Sequence, residues 1–429
     1  MKAIGIDLGT TGIACVLFDV DSGKIIKSAT RSNNFFIESK NEWEKIQDVE
    51  KIVAKAKDLL DEFLAEDVCV IGVTGQMHGI VYFDKNANSV SPLYTWQDGR
   101  GNLYYNGHTY AKELKSFSGY GCVTDFYNKI NGLVSKEAVG FCTIADYFVM
   151  KICEMKKPIL HVTNGASLGC YDLSSKKHYY DVNFDLTDEF AIAGKYNGIP
   201  VSVAIGDNQA SVFSTLADEN DILLNVGTGS QVSIVSDLPI TADNIETRPY
   251  FENKYLIVGA ALCGGRAYSM LKDFYLGIIK YVKPIDDEKT YEIMSTMVEN
   301  IEKSSLIVDS RFAGTRSNPN VRGSISGITT ENFNSSQLTL GVLEGMANEL
   351  LRLYENMGIK KQGVVGSGNG IRKNTSLLRT FERTFGAKLK IPEHLEEAAL
   401  GATFFGLIAC GRLKSSKEVQ KMIKYVKEV

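Results

Sequence analysis

Ile6-Asp7-Leu8-Gly9-Thr10-Thr11-Gly12 runs directly into the β-like stretch Ile13-Ala14-Cys15-Val16-Leu17-Phe18. A second stretch of the same grammar, Leu224-Asn225-Val226-Gly227-Thr228-Gly229-Ser230, runs into Gln231-Val232-Ser233-Ile234-Val235. The matching glycines are 9 and 227, so the copies stand 227 − 9 = 218 residues apart in a chain of 429. Each copy reads as strand, tight Gly/Thr turn, strand. Such a turn offers backbone N–H groups and hydroxyls, the donors an anionic phosphate needs. Two of them in two similar halves predict one polyphosphate held across a cleft.

Outward from the first copy, residues 3–7, 13–19 and 24–31 read as strands, the third following the turn Asp21-Ser22-Gly23. Ile52, Ala56, Leu59, Leu60 and Phe63 share one face of a helix expected over 47–64. Residues 68–73 and 79–83 read as strands, 85–200 as insertions that build a substrate pocket, and 201–205 as a strand ending at Gly206-Asp207. The second half repeats the pattern, with strands over 222–226, 231–235 and 255–260 and helices over 264–280 and 336–354. A strand over 361–365 ends in Gly366-Ser367-Gly368-Asn369-Gly370, and helices over 375–385 and 396–409 follow. The boundary is expected in the loop 237–247, which gives domains 1–238 and 239–429.

Lys and Arg number 47 against 51 Asp and Glu, a net charge of −4. That balance argues against nucleic acid or an anionic membrane as the main partner and leaves room for a small anionic ligand. No apolar run approaches the roughly 18 residues of a membrane span, and the first apolar stretch, broken by Asp7, Thr10 and Thr11, reads as a strand rather than a signal peptide. The 8 cysteines form no Cys-x-x-Cys pair and mostly sit in apolar runs, which points to reduced core cysteines and a cytoplasmic protein.

Asp7, at the end of a strand beside a phosphate turn, suits Mg²⁺ held directly or through water, and the Thr10 and Thr11 hydroxyls suit phosphate oxygens. A plain hairpin turn would look the same locally. Asp207 opens a helical run, where it reads either as a cap or as a base that takes a proton from a sugar hydroxyl. Gln76 and His78, in Thr74-Gly75-Gln76-Met77-His78-Gly79, lie where α/β ligand sites form, although a lone His also fits a structural role. Trp96-Gln97-Asp98-Gly99-Arg100 combines an aromatic face with a carboxylate, as sugar sites do, and could also be a solvated turn. Gly366-Ser367-Gly368-Asn369-Gly370 fails the G-x-G-x-x-G fingerprint because Ile371 holds the last position, and no P-loop is present.

Taken together, these segments resemble the FGGY family of carbohydrate kinases along essentially the whole chain: IGIDLGTTG, GQMHG with TWQDGR, GDNQAS, NVGTGS and VVGSGNG occur in the family's order. Arg322-Gly323-Ser324-Ile325-Ser326-Gly327-Ile328 follows the second-domain signature, with Gly341 where Ala or Ser is usual. Ser118-Gly119-Tyr120-Gly121-Cys122-Val123-Thr124 is similar to a segment of the subgroup that acts on sedoheptulose. The first signature with its Lys-x-Trp core is missing near 128–137, unlike glycerol kinases and typical xylulokinases. The adenosine motif reads Gly-Ser-Gly in place of the usual triplet, and the chain is shorter than most of the family.

The resemblance implies an α/β fold of two ribonuclease-H-like domains, of the actin and hexokinase superfamily, around a central cleft, with closure hinged near 237–247. It implies an ATP-dependent kinase using Mg²⁺ and acting on the primary hydroxyl of a ketose, sedoheptulose first and a pentulose such as xylulose second. Asp207 would be the catalytic base. Gln76, Met77, His78, Asp98, Asp207 and Asn208 would line the sugar pocket. Thr10, Thr11, Gly227 and Thr228 would hold phosphates, with Asp7 by Mg²⁺ through water. Gly366, Ser367, Gly368 and Asn374 would flank the nucleoside. The expected partners are the sugar and ATP alone, with a homodimer as in many family members. A non-catalytic sugar or nucleotide sensor and an actin-like polymer share the fold, but the former leaves Asp7 and Asp207 without a task and the latter GQMHG and WQDGR.

Overall fold

A computed structural model describes residues 1–282, 285–316, 318 and 320–426. The chain divides into two compact units, one comprising Met1–Ala217, Arg248–Lys254 and Glu396–Ile423, the other Asp218–Thr247, Tyr255–Leu395 and the residues from Lys424 on. The chain therefore passes between the units five times. This differs from the single boundary expected at 238/239. The second unit begins earlier, because its central strand Asp221–Val226 carries the second Gly/Thr turn. The C-terminal helix returns to the first unit, because only there is its apolar surface covered.

The first unit is built on a seven-stranded sheet with the order Ile192–Tyr196, Ile199–Ser202, Val68–Gly75, Lys2–Leu8, Gly12–Asp19, Lys24–Ser32, with Ile205–Gly206 also pairing to Val68–Gly75. Lys2–Leu8 and Val68–Gly75 are parallel neighbours. Both are near-continuous apolar runs, as strands covered on both faces must be, and Ile4, Ile6, Leu8, Ile71 and Val73 are wholly buried. Helix Val49–Asp61 covers one face; Asp48 caps it by accepting the Lys51 N–H at 3.1 Å, and Ile52, Val53, Ala56, Leu59 and Leu60 point into the core.

Helix Glu397–Ala409, EAALGATFFGLIA, is apolar around its circumference and therefore needs cover on all sides. It lies directly on backbone. A methyl added at Gly72 would sit 1.9 Å from the Ala402 carbonyl oxygen, and one at Gly401 would sit 1.9 Å from that of Ala210. The glycines are what allow strand, helix and the neighbouring helix Asp207–Thr215 to approach this closely.

The second unit repeats the plan. Its sheet runs Tyr255–Ala261, Ser230–Ser236, Asp221–Val226, Gly363–Ser367, Leu389–Lys390, with Ile245–Pro249 at the edge. Asp221–Val226 is antiparallel to Ser230–Ser236 and parallel to Gly363–Ser367. Lys2–Leu8 has the same relations to Gly12–Asp19 and Val68–Gly75, so the duplication read from the two turns is a duplication of topology. Long helices Gly264–Ile279 and Ser335–Asn356 back this sheet. One expected strand shifts. The stretch expected over 79–83 is Val81–Asp84, which pairs with Ala138–Cys142 outside the main sheet, because His78 and Gly79 form a turn.

Candidate functional site

Strand register brings the first cluster together. Asp7 pairs with Thr74, and Thr74 pairs on its other side with Ile205. Asp7, Gly75 and Gly206 therefore end three adjacent parallel strands on the same side of the sheet, where α/β proteins place their ligands. Asp207 follows at once as the first residue of helix Asp207–Thr215, whose N-cap is Gly206. Capping is thus not its task. Gly206 is held by its N–H to Thr163 Oγ1 at 3.1 Å, and Thr74 Oγ1 donates to the Ile205 carbonyl at 2.8 Å.

Burial pushes the Asp207 carboxyl up to about 6, opposed by the Asn208 backbone N–H and the Arg248 guanidinium. Asp7 is pushed up to about 8, first by burial and then by the charges of Asp207 and Glu396. Asp7 is half-buried as a residue, yet its Oδ1 is shut off from solvent and has no hydrogen-bond partner in the structure. A partnerless carboxylate oxygen that feels the negative charges of Asp207 and Glu396 favours a cation beside it. Among the described residues no group of three or more His, Cys, Asp or Glu side chains is placed to hold a metal ion. That donor set fits Mg²⁺, which takes one or two carboxylates and completes its shell with water and substrate phosphate.

The first Gly/Thr turn is fixed from behind. Asn33 donates its side-chain amide to the Gly9 carbonyl at 2.7 Å and its backbone N–H to that of Thr11 at 2.9 Å. Gln47 Nε2 donates to the Thr10 carbonyl at 2.9 Å. With three carbonyls drawn into the protein, the N–H groups form the outer polar edge of the turn. Trp96 Nε1 donates to Thr10 Oγ1 at 2.9 Å while its ring stays 47 % exposed, an aromatic platform beside the turn.

The expected sugar residues separate into two groups. His78 sits at φ 72° in a three-residue turn closed by the Gly79 N–H on the Met77 carbonyl at 2.8 Å. Such backbone costs about 1–3 kcal/mol and gathers at functional sites. Its Nδ1 meets the Ser167 carbonyl at 2.7 Å and its ring stacks on Tyr120 at 4.1 Å. The donor on Nδ1 makes Nε2 the acceptor of the neutral ring. Met77 is buried against Gly206. Asn208 is half-buried beside Asp207.

Gln76 and Asp98, both expected at the sugar, have polar atoms bonded within the protein. Gln76 is 2 % exposed, donates to Gln47 Oε1 at 3.0 Å and accepts from Thr10 Oγ1 at 3.2 Å, so it braces the turn. Asp98 Oδ1 accepts from Arg100 Nε at 2.7 Å and from the Arg100 N–H at 3.0 Å; Oδ2 accepts from the Lys45 N–H at 3.0 Å and from Arg100 Nη2 at 3.1 Å. The wholly buried Arg100 guanidinium needs that countercharge, and Tyr94 stacks on it at 4.2 Å.

In the second unit the turn Gly227-Thr228-Gly229 is exposed. Its carbonyls are again tied back: Gly227 accepts from the Gly265 N–H and Thr228 from the Arg266 N–H, each at 3.0 Å. Asn225 stands where Asp7 stands in the first unit, and its Nδ2 donates to Ser367 Oγ at 2.9 Å. Gly366 and Ser367, expected to flank the nucleoside, are buried strand residues. Gly368, at φ 83° and half-buried, follows them at the carboxyl end of the strand. Asn374 caps helix Thr375–Phe385 by accepting the Leu377 N–H at 2.9 Å. A groove of about 740 Å³ lined by Leu340, Arg379, Arg383 and Lys388 lies by the amino end of Leu389–Lys390, away from the turn.

Three residues of the first cluster went unread in the sequence. Glu396 lies 366 positions from the strand residue it touches, Thr30, at 2.9 Å. Arg248 is 7 % exposed, and its Nη1 donates to Asn208 Oδ1 at 3.2 Å. Thr163 supports Gly206 from within the insertion.

Comparison with known proteins agrees with this plan. Residues 2–126 match the N-terminal domain, and residues 222–410 the C-terminal domain, of the FGGY family of carbohydrate kinases. Sedoheptulokinase of Mus musculus is 27% identical, covering 97% of this chain and 98% of that one; that of Homo sapiens is 26% identical, covering 93% and 96%. The crystal structure of xylulose kinase from Rhodospirillum rubrum superposes with a TM-score of 0.85 at 16% identity, covering 100% of this chain and 94% of that one.

Proposed function

The chain belongs to the FGGY family of carbohydrate kinases, a phosphotransferase with an alcohol acceptor, and on that premise we propose that it phosphorylates the terminal primary hydroxyl of a ketose, sedoheptulose, at the expense of ATP. Near-full-length similarity to two sedoheptulokinases supports the choice of sugar. The observation that carries the chemistry is the placement of Asp7 and Asp207 at the ends of the two parallel strands that flank Val68–Gly75, beside a Gly/Thr turn with its carbonyls turned inward.

The acceptor sugar lies in the first unit, against His78, Asn208 and the exposed face of Trp96. The nucleotide belongs to the second, with Gly227 and Thr228 at its phosphates and Gly368 and Asn374 near the nucleoside. The sugar hydroxyl oxygen forms a bond to the γ-phosphorus as the bridging bond to the β-phosphate breaks and ADP leaves. Asp207 orients the hydroxyl and accepts its proton. With its pKa raised to about 6, Asp207 is a better base than an ordinary carboxylate and is still ionised near neutrality. Phosphoryl transfer is loose, so positioning outweighs proton removal. Mg²⁺, when bound at Asp7 with the phosphates, supplies charge neutralisation at the transferring group.

The test is a coupled ADP-release assay over ketoses and polyols at fixed ATP and Mg²⁺. Turnover with sedoheptulose at the highest kcat/KM is expected. Activity confined to five-carbon ketuloses would replace the sugar, and sugar binding without ADP release would overturn the catalytic reading.

A further inference from the structure

Asp207 follows a glycine directly, and a glycine backbone is too permissive to aim the residue after it. The aim has to come from outside. The peptide unit between Ile205 and Gly206 is gripped on both edges by threonine hydroxyls: Thr74 Oγ1 donates to the Ile205 carbonyl at 2.8 Å, and the Gly206 N–H donates to Thr163 Oγ1 at 3.1 Å. Both threonines are wholly buried. Strand register sets up the first contact, since Ile205 pairs with Thr74. The second comes from the short helix Val162–Ser167, inside the insertion 85–200.

Thr163 is itself held in one orientation. His161 Nδ1 accepts the Thr163 N–H at 3.2 Å, so that nitrogen carries no proton. The Thr163 hydroxyl, 2.9 Å from the same nitrogen, must then donate to it, which turns its oxygen lone pairs to the Gly206 N–H. Burial pushes His161 down to about 3, so the ring is neutral near pH 7 and this order of donors holds there. The same helix ends at Ser167, whose Oγ accepts the His78 N–H at 3.3 Å and whose carbonyl meets His78 Nδ1 at 2.7 Å. Asp207 and the turn that carries His78 are thus both set from one short element.

We propose that Thr163 is a positioning residue for phosphoryl transfer: with Thr74 it clamps the Ile205–Gly206 peptide and so fixes where the Asp207 carboxylate meets the acceptor hydroxyl. This rests on the kinase reading above. Thr163 touches no reacting atom and acts through the Gly206 backbone. Without its hydroxyl the buried Gly206 N–H loses its acceptor, and the backbone must shift to recover one. A displacement of about 1 Å at a reacting group costs up to about a hundredfold in rate.

The experiment measures kcat and KM, for ATP and for the ketose that wild type prefers, on the full chain carrying Thr163→Val, Thr163→Ser, Asp207→Asn, or Thr163→Val together with Asp207→Asn. Thr163→Val keeps the shape and loses the hydroxyl; it should lower kcat about ten- to a hundredfold with both KM values within about threefold of wild type. Thr163→Ser keeps the hydroxyl and should stay within about fivefold of wild-type kcat. In the Asp207→Asn background Thr163→Val should cost less than about twofold more, because the clamp then has no base left to aim. Thr74→Val, which releases the other edge of the peptide, should show the same kcat-selective loss and carries the test if Thr163→Val does not fold. A Thr163→Val kcat within about twofold of wild type, a loss confined to KM, a Ser variant as slow as the Val variant, or an undiminished Thr163→Val penalty on top of Asp207→Asn would overturn the inference and leave the kinase reading intact. A wild-type protein that transfers phosphate to no sugar in the panel would instead overturn the kinase reading and this inference with it.

Discussion

Asp7→Asn should stabilise the metal-free protein while abolishing its use of ATP. The carboxyl of Asp7 is held at about 8 in the fold against an ordinary 3.8, by burial first and then by Asp207 and Glu396. The folded state thus binds this proton more tightly than the unfolded chain. The resulting stability is fully present below about 3.8 and is lost as pH rises through about 8. The rise corresponds to a ceiling of about 6 kcal/mol. Asp7 is only half-buried as a residue, so solvent screening cuts this to about 2–3 kcal/mol. Asn keeps the shape and drops the charge. The variant should match wild type near pH 4 and exceed it by about 2–3 kcal/mol near pH 9, about 1 M in urea midpoint for a typical slope. Both tryptophans, Trp43 and Trp96, lie in the first unit, so their fluorescence during urea unfolding with EDTA follows the unit that contains Asp7. A variant no more stable than wild type near pH 9, or equally stabilised at both pH values, would refute the account of Asp7 as a desolvated, cation-seeking carboxylate.

Asp207→Asn should lower kcat by about two to four orders of magnitude with ketose KM within a few-fold, and wild-type kcat/KM should fall on the acid side near the Asp207 value of about 6; near-normal turnover would remove Asp207 from the chemistry. Asp98→Asn leaves the buried Arg100 charge without its full partner and should cost about 3–5 kcal/mol of stability, with the surviving folded enzyme showing an unchanged ketose KM in steady-state assays; a selective rise in KM would return Asp98 to the sugar pocket. Gly401→Ala pushes a methyl to 1.9 Å from the Ala210 carbonyl oxygen and should destabilise the first unit by about 1–3 kcal/mol in urea unfolding, as overpacking does.

The repeated strand–turn–strand was legible because apolar alternation and Gly/Thr turns are local signals, and the register of Asp7 with Thr74 follows once both strands are placed. Asp207 was legible as a residue at a strand's end. What local pattern could not disclose was where polar side chains spend their hydrogen bonds. Asp98 and Gln76 have sugar-binding chemistry, yet a buried Arg100 and a turn in need of bracing take them first. Glu396 and Arg248 were missed because each reaches the site from a distant part of the chain, and no periodicity marks such a contact. The repeated crossing between units was unreadable for the same reason: the apolar helix Glu397–Ala409 follows most of the second unit in sequence but belongs to the first.

That helix also sets an order on synthesis. The first strand, with Gly5 facing the place of Ala399, leaves the ribosome almost 400 residues before its cover is made. At about 5–20 residues per second, the nascent first unit waits roughly 20–80 s with an apolar sheet face uncovered by this helix. The first unit cannot close its core before that helix has been made.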